Sequence, residues 1–164
     1  GYKKVYFGGV TMKKLQEANL EVNPENEKMM REKLRKELNY NGVIIRLTEL
    51  DNIEFLGHNK IRVEAGFSLM KLSLLAAKKG LAGLEFASGI PGTIGGAVFM
   101  NAGAYKSDMG YIVKSVKVLT PDLKIITLEN KEMNFHYRSS FLQTHRDYIC
   151  LEVILKLEKG ISLL

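Results

Sequence analysis

Residues 83–105 read Gly83-Leu84-Glu85-Phe86-Ala87-Ser88-Gly89-Ile90-Pro91-Gly92-Thr93-Ile94-Gly95-Gly96-Ala97-Val98-Phe99-Met100-Asn101-Ala102-Gly103-Ala104-Tyr105. The first 15 of these residues hold five of the chain's 15 glycines. Glycine permits φ > 0 and lets a backbone approach a ligand with no Cβ in the way. Successive exposed N–H groups can then meet an anion or the polar edge of a flat ring system. A tight structural loop is the simpler reading of any Gly/Pro cluster. Here small residues in two nearby segments, 89–97 and 101–104, favour a surface shaped around something flat. The spacing is not Gly-x-x-x-x-Gly-Lys, and it is not Gly-x-Gly-x-x-Gly opening a helix.

On both sides of this stretch the pattern is ordinary. Downstream, Val113–Thr120, a Pro121-Asp122 turn, Lys124–Leu128 and Tyr148–Leu157 read as strands. The last places Ile149, Leu151, Val153, Leu155 and Leu157 on one face. Upstream, Ser68 caps a helix with Leu69, Leu72, Leu75 and Ala76 on one side, and Gly80 stops it. Ile53–Leu56 and Ile61–Ala65 flank Gly57-His58-Asn59 as a hairpin. Val43–Leu47 reads as a buried strand after an Asn41-Gly42 break. Asn23-Pro24-Glu25 starts an amphipathic helix over 24–38, with Met30, Leu34 and Leu38 on its apolar side. Strands that crowd around two helices and then dominate argue an α+β arrangement with a mostly antiparallel sheet.

Length and composition narrow the class. A chain of 164 residues is one domain or two small ones. With 46% hydrophobic and 26% charged residues it is globular in type. No apolar run approaches the ~20 residues of a membrane span, and no secretory h-region follows Gly1-Tyr2-Lys3-Lys4. The net charge of +6 favours anionic partners (nucleic acid, an anionic membrane or phosphorylated small molecules) without choosing among them. No aromatic-interleaved basic strand supports nucleic-acid binding, and the Lys/Arg run at 28–36 reads as a solvated helix face. The single cysteine, Cys150, rules out an intrachain disulfide framework, fits a reducing, cytoplasmic setting and reads as a core residue. His58, His136 and His145 have no metal-ligand spacing, so no metal site is expected. Glu85 beside Phe86 is either a desolvated carboxylate or, more simply, a solvated one. In Tyr137-Arg138-Ser139-Ser140, Arg138 offers a planar charged fork suited to a carboxylate, and Ser140 shares its side if the backbone is extended.

Residues 83–105, followed about 30 residues on by Tyr137-Arg138-x-Ser140, resemble the UDP-N-acetylenolpyruvoylglucosamine reductase (MurB) flavoenzyme family. Val63-Glu64-Ala65-Gly66 and the helix at 68–80 are similar to its second subdomain, and Asn41-Gly42-Val43-Ile44-Ile45 to the end of its first. The resemblance implies an α+β FAD-binding fold of the PCMH/VAO type: residues 1–47 would be a reduced first subdomain and 48–160 the second. The C-terminal substrate-binding domain, with its proton-donating serine, would lie outside the chain. The implied reaction is NADPH-dependent reduction of the enolpyruvyl ether of UDP-N-acetylglucosamine, for peptidoglycan synthesis in the bacterial cytoplasm. NADPH would reduce the flavin, whose N5 would pass hydride to C3. By the same resemblance Gly89, Ile90, Pro91, Gly92, Thr93, Gly95, Gly96 and Ala97 line FAD, and Asn101, Ala102, Gly103 and Ala104 form a companion loop. Tyr137, Arg138 and Ser140 meet the nucleotide-sugar substrate, and Arg138 is the cation that stabilises the aci-carboxylate.

The chain also departs from the pattern. The family's Gly-x-Gly-Ser-Asn-Leu-Leu pyrophosphate loop should precede Val43, where Arg35-Lys36-Glu37-Leu38-Asn39-Tyr40 stands instead. The isolated chain is therefore expected to bind FAD poorly and to be inactive alone. The alternatives are a non-catalytic flavin- or nucleotide-binding remnant, another FAD-linked oxidase of this fold and, last, a basic nucleic-acid-binding module.

Overall fold

A computed structural model describes residues 45–160 together with Glu25, Lys28 and Met29. Most of the helix expected at 24–38 and the residues at 35–40 lie outside the described residues; Glu25, Lys28 and Met29 are helical and exposed. The chain divides into two compact units, Gly1–Ile45 and Arg46–Leu164.

The second unit is built on a five-stranded sheet, antiparallel at every pairing, in the order β1 (Ile53–Gly57), β2 (Lys60–Glu64), β8 (Ile149–Lys156), β6 (Val113–Leu119), β7 (Ile125–Glu129), with a separate short pair of β3 (Leu81–Ala82) and β9 (Glu158–Lys159). β1 (Ile53–Gly57) and β2 (Lys60–Glu64) form a hairpin. Its two-residue turn needs φ > 0 at both central positions, and His58 and Asn59 supply 47° and 57°. β6 (Val113–Leu119) and β7 (Ile125–Glu129) form a second hairpin, closed by Thr120 N–H to the Lys124 carbonyl at 2.8 Å. The long central strand β8 (Ile149–Lys156) returns between β2 and β6.

Four helices complete the unit: α1 (Leu69–Lys78), α2 (Ile94–Phe99), α3 (Met109–Ile112) and α4 (Phe141–Thr144). Ser68 caps α1 by accepting from Lys71 N–H, and Gly80 leaves it at φ 67°. Leu69, Leu72 and Ala76 of α1, and Ile94 and Val98 of α2, join one core with Ile61, Val63, Val153, Leu155, Val116 and Val118 from the sheet. Each large fully buried side chain there contributes roughly 1.5–3 kcal/mol relative to exposure.

Three expectations need correction. Residues 45–47 are not a strand: Leu50 N–H turns back to the Leu47 carbonyl at 3.0 Å, and Leu50's own carbonyl accepts from Gly66 N–H at 2.8 Å. The glycine stretch is not loop throughout, because α2 forms over its second half. On β8 the even alternation fails at a bulge: Glu152 pairs with Lys117 and Cys150 with Val118, leaving Leu151 without a partner on β6. The extra residue turns Cys150 inward with Val153 and Leu155, while Ile149 and Leu151 stay half-buried. Glu85 is exposed and accepts from Gly83 N–H at 2.8 Å, in line with the simpler, solvated reading.

Burial pushes the Cys150 thiol up from 9.0 to about 12. An unfolded chain releases this proton near pH 9, whereas the folded one keeps it until about pH 12. The thiol's contribution is therefore constant below pH 9 and declines above it, by up to about 1.4 kcal/mol per pH unit. Urea unfolding at pH 8 and pH 10 should show a larger alkaline loss in wild type than in Cys150→Ala. Parallel losses in the two proteins would contradict the assignment.

Candidate functional site

The glycine stretch splits into an open half and a packed half. Ser88, Gly89, Pro91 and Gly92 are exposed. No heavy atom lies within 4 Å of where a Cβ would stand on Gly89 or Gly92, and Gly92 has φ 137°. The loop is docked on the turn between β2 and α1: Leu69 N–H donates to the Gly92 carbonyl at 3.0 Å and Ile94 N–H to the Phe67 carbonyl at 2.9 Å. These two bonds frame a Ser68–Thr93 pair of the type whose own N–H and C=O groups face away from each other. Among the described residues, the N–H groups of Gly89, Gly92 and Thr93 donate to nothing. Three backbone donors without a partner among the described residues thus fall within five positions that include two exposed glycines.

The packed half is α2. Gly95 is buried; its N–H donates to the Ala65 carbonyl at 2.8 Å, and a Cβ there would stand 3.0 Å from the Ala65 Cβ. Gly96 donates to the Thr93 hydroxyl that caps the helix, and Ala97 faces the core. Gly95 is thus small because a helix must lie against the end of β2, a reason unrelated to any ligand.

The companion loop is also turned inward. Asn101, Ala102 and Gly103 are buried and Ala104 is half-buried. β4 (Gly103–Ala104) and β5 (Ser107–Asp108) close a hairpin so tight that a Cβ on Gly103 would meet the Ser107 carbonyl oxygen at 2.4 Å. Its turn residues Tyr105 and Lys106 hold φ 52° and 64°, and Tyr105 is 94% exposed.

Tyr137 and Arg138 are the two central residues of a tight turn. His136 N–H donates to the Ser139 carbonyl at 3.0 Å and Ser139 N–H to the His136 carbonyl at 3.1 Å. Arg138 sits at φ 54°, so the segment is not extended and Ser140 does not share its side. Ser140 is buried instead: its hydroxyl donates to the Phe99 carbonyl at 2.9 Å and caps α4 by accepting from Leu142 N–H. Both residues of the turn are exposed. The Arg138 guanidinium carbon lies 5.6 Å from the Tyr137 ring centre, and among the described residues Arg138 joins no ion pair.

The turn is tied to the far end of α2. Ser140 reaches the Phe99 carbonyl, and the Gln143 amide donates to the Arg138 carbonyl at 2.7 Å and lies 3.2 Å from the Met100 sulfur. The Asn101 amide donates to the His136 carbonyl at 2.8 Å. Six residues of helix span about 9 Å, so the open donor row precedes α2 and the arginine turn is fastened just past its end. Sequence reasoning missed Gln143, Gly110 and the fastening role of Asn101, for which no local pattern exists. A shallow groove lined by Tyr111, Lys114, Lys131 and Lys156 shares only Gly110 with this network.

Residues 10–129 match the FAD binding domain family. The chain belongs to that family. Its α+β FAD-binding fold is shared with the crystal structure of UDP-N-acetylenolpyruvylglucosamine reductase (MurB) from Thermus caldophilus, at 34% identity and a TM-score of 0.61 over 70% of this chain and 40% of that one. The chain is 53% identical over 120 residues to UDP-N-acetylenolpyruvoylglucosamine reductase 1 of Bacillus cereus, covering 73% of this chain and 40% of the relative. It is 48% identical over 119 residues to the reductase of Bacillus subtilis strain 168, covering 72% and 39%. The chain therefore spans about two-fifths of the length of the curated relatives it matches. No helix among the described residues is long and apolar enough to cross a membrane.

The FAD-binding domain offers a cradle that fits its cofactor. The free amides of Gly89, Gly92 and Thr93 suit the acceptor edge of a flavin ring, and the missing side chains at Gly89 and Gly92 leave room for its face. Gly95 holds α2 against the end of β2 behind this loop.

Proposed function

We propose that this chain is the FAD-binding part of an NADPH-dependent UDP-N-acetylenolpyruvoylglucosamine reductase, which forms UDP-N-acetylmuramate for peptidoglycan in the bacterial cytoplasm. Residues 48–160 would be its second FAD-binding subdomain and 1–47 the remainder of the first. The observation that carries this reading is the fastening of an exposed, unpaired arginine turn to the same short helix that follows the open donor row. Half of the chemistry needs a flat-ring cradle and the other half needs a fixed cation, and α2 joins them. The identities with the Bacillus and Thermus proteins support the substrate class.

When bound, FAD supplies hydride to C3 of the enolpyruvyl group and is recharged by NADPH. The chain's own residues do the rest. The amides of Gly89, Gly92 and Thr93 hold the ring edge. As C3 gains hydride, electrons move onto the substrate carboxylate, which takes on aci-carboxylate character before C2 is protonated. Arg138 would meet that growing charge with a planar fork carried on a fastened turn. Tyr137 lies 5.6 Å from the guanidinium carbon, within reach of a weak cation–π contact.

The test is direct. The gene-encoded protein should purify yellow and oxidise NADPH only when the enolpyruvyl ether of UDP-N-acetylglucosamine is added. A yellow protein with no such turnover would leave a non-catalytic flavin-binding domain as the function. A colourless protein that takes up no added FAD would contradict both.

A further inference from the structure

Asn101 belongs to the segment first read as lining the cofactor, yet its side chain is spent inside the protein. The residue is 3% exposed. Its Oδ1 accepts from Gly110 N–H at 2.9 Å and its Nδ2 donates to the His136 carbonyl at 2.8 Å. Gly110 N–H is shared with Asp108 Oδ1, also at 2.9 Å, so one end of the Asn101 amide is anchored at the first turn of α3. The other end holds the residue that opens the Tyr137-Arg138 turn. Asn101 itself stands at φ 42°, a conformation that asparagine tolerates better than most residues. A buried amide with both ends taken offers a ligand little, and removing either partner leaves a costly orphan.

We infer that Asn101 is a positioning residue for Arg138, fixing the height and tilt of the arginine turn over the site rather than touching FAD. This rests on the reading of Arg138 given under the proposed function. The logic is geometric. The His136–Ser139 turn carries two exposed side chains and is closed by only two bonds of its own. Three outside side chains fasten it: Gln143 at the Arg138 carbonyl, Ser140 at Phe99, and Asn101 at the His136 carbonyl. Of these, only Asn101 holds the entering strand, at a separation of 35 residues. Without it the turn keeps its shape but can rock about its Ser140 end. A cation displaced by a fraction of an ångström to an ångström loses much of its value to a transition state.

Asn101→Asp separates this role from folding. It keeps the acceptor for Gly110 and the tolerance for φ > 0, and loses the donor to His136. In the FAD-loaded, gene-encoded protein it should slow substrate reduction about tenfold, the size of one lost hydrogen bond to a buried partner. Reduction of FAD by NADPH should stay within about twofold. In an Arg138→Ala background the same substitution should have no further effect on substrate reduction, since a positioning residue cannot act through a missing side chain. Amide hydrogen exchange at residues 136–139 should quicken in Asn101→Asp without FAD or substrate present. Asn101→Ser, too short to span both partners, should behave likewise if the aspartate variant folds badly. An undiminished effect in the Arg138→Ala background, equal damage to both half-reactions, or unchanged exchange at 136–139 would overturn the inference. Full substrate reduction by Arg138→Ala alone would overturn the parent reading instead, and the exchange measurement would still decide whether Asn101 holds the turn.

Discussion

Arg138→Ala in the gene-encoded, FAD-loaded protein should lower the rate of substrate reduction by about 10²–10³, the range for losing one preorganised donor to a developing oxyanion. Reduction of FAD by NADPH should change far less, because no carboxylate charge grows in that step. The asymmetry follows from where the charge appears. A group that binds ground and transition states equally changes KM alone, whereas one that meets a charge present only in the transition state changes the chemical step. Arg138→Lys should recover part of the loss, since a point charge cannot reproduce the fork. The backbone adds a further handle: Arg138 holds φ 54°, which costs a residue with a Cβ about 1–2 kcal/mol and glycine almost nothing. Arg138→Gly should therefore be at least as stable to heat as wild type while matching Arg138→Ala in rate. Stopped flow separates the half-reactions. Equal damage to both would mean that Arg138 serves the flavin site or the fold.

The parts of the fold that could be read in the sequence are those set by near neighbours. The hairpin of β1 and β2, the cap and stop of α1 at Ser68 and Gly80, and the β6–β7 pair follow from residues a few positions apart. The glycine stretch was legible as unusual, but its helical half was not. Two consecutive glycines argue against a helix, and only the contact of Gly95 with Ala65, 30 residues away in sequence, explains why they stand in one. The bulge at Leu151 broke a parity that alternation alone assumes. Arg138 was legible as a candidate cation. Ser140 was misplaced because the rule that i and i+2 share a side holds for extended backbone, and Arg138 is left-handed. Asn101 looked like a lining residue because it sits among small ones. Its true partners, Gly110 and His136, are not legible without coordinates.

The claim at the centre of this account is that the open backbone of Gly89–Thr93 receives the flavin ring while Gly95 of α2 serves packing. Gly89→Leu tests it with least confusion. Gly92 is a poorer choice because its φ of 137° strains any side chain, and Gly95 because a Cβ there would press on Ala65. Gly89 has neither handicap, with open space where the side chain would go and no positive φ. A leucine there should leave the fold untouched and crowd only what docks above it. Overpacking of a close contact costs about 1–3 kcal/mol, which corresponds to roughly 5- to 150-fold in affinity. The measurement is a fluorescence titration of FAD into apoprotein of wild type and Gly89→Leu, beside their thermal unfolding curves. The account predicts unchanged melting of the apoprotein and FAD binding weakened by that factor. Equal FAD affinity in the two proteins, with the fold intact, would place the flavin elsewhere and contradict it.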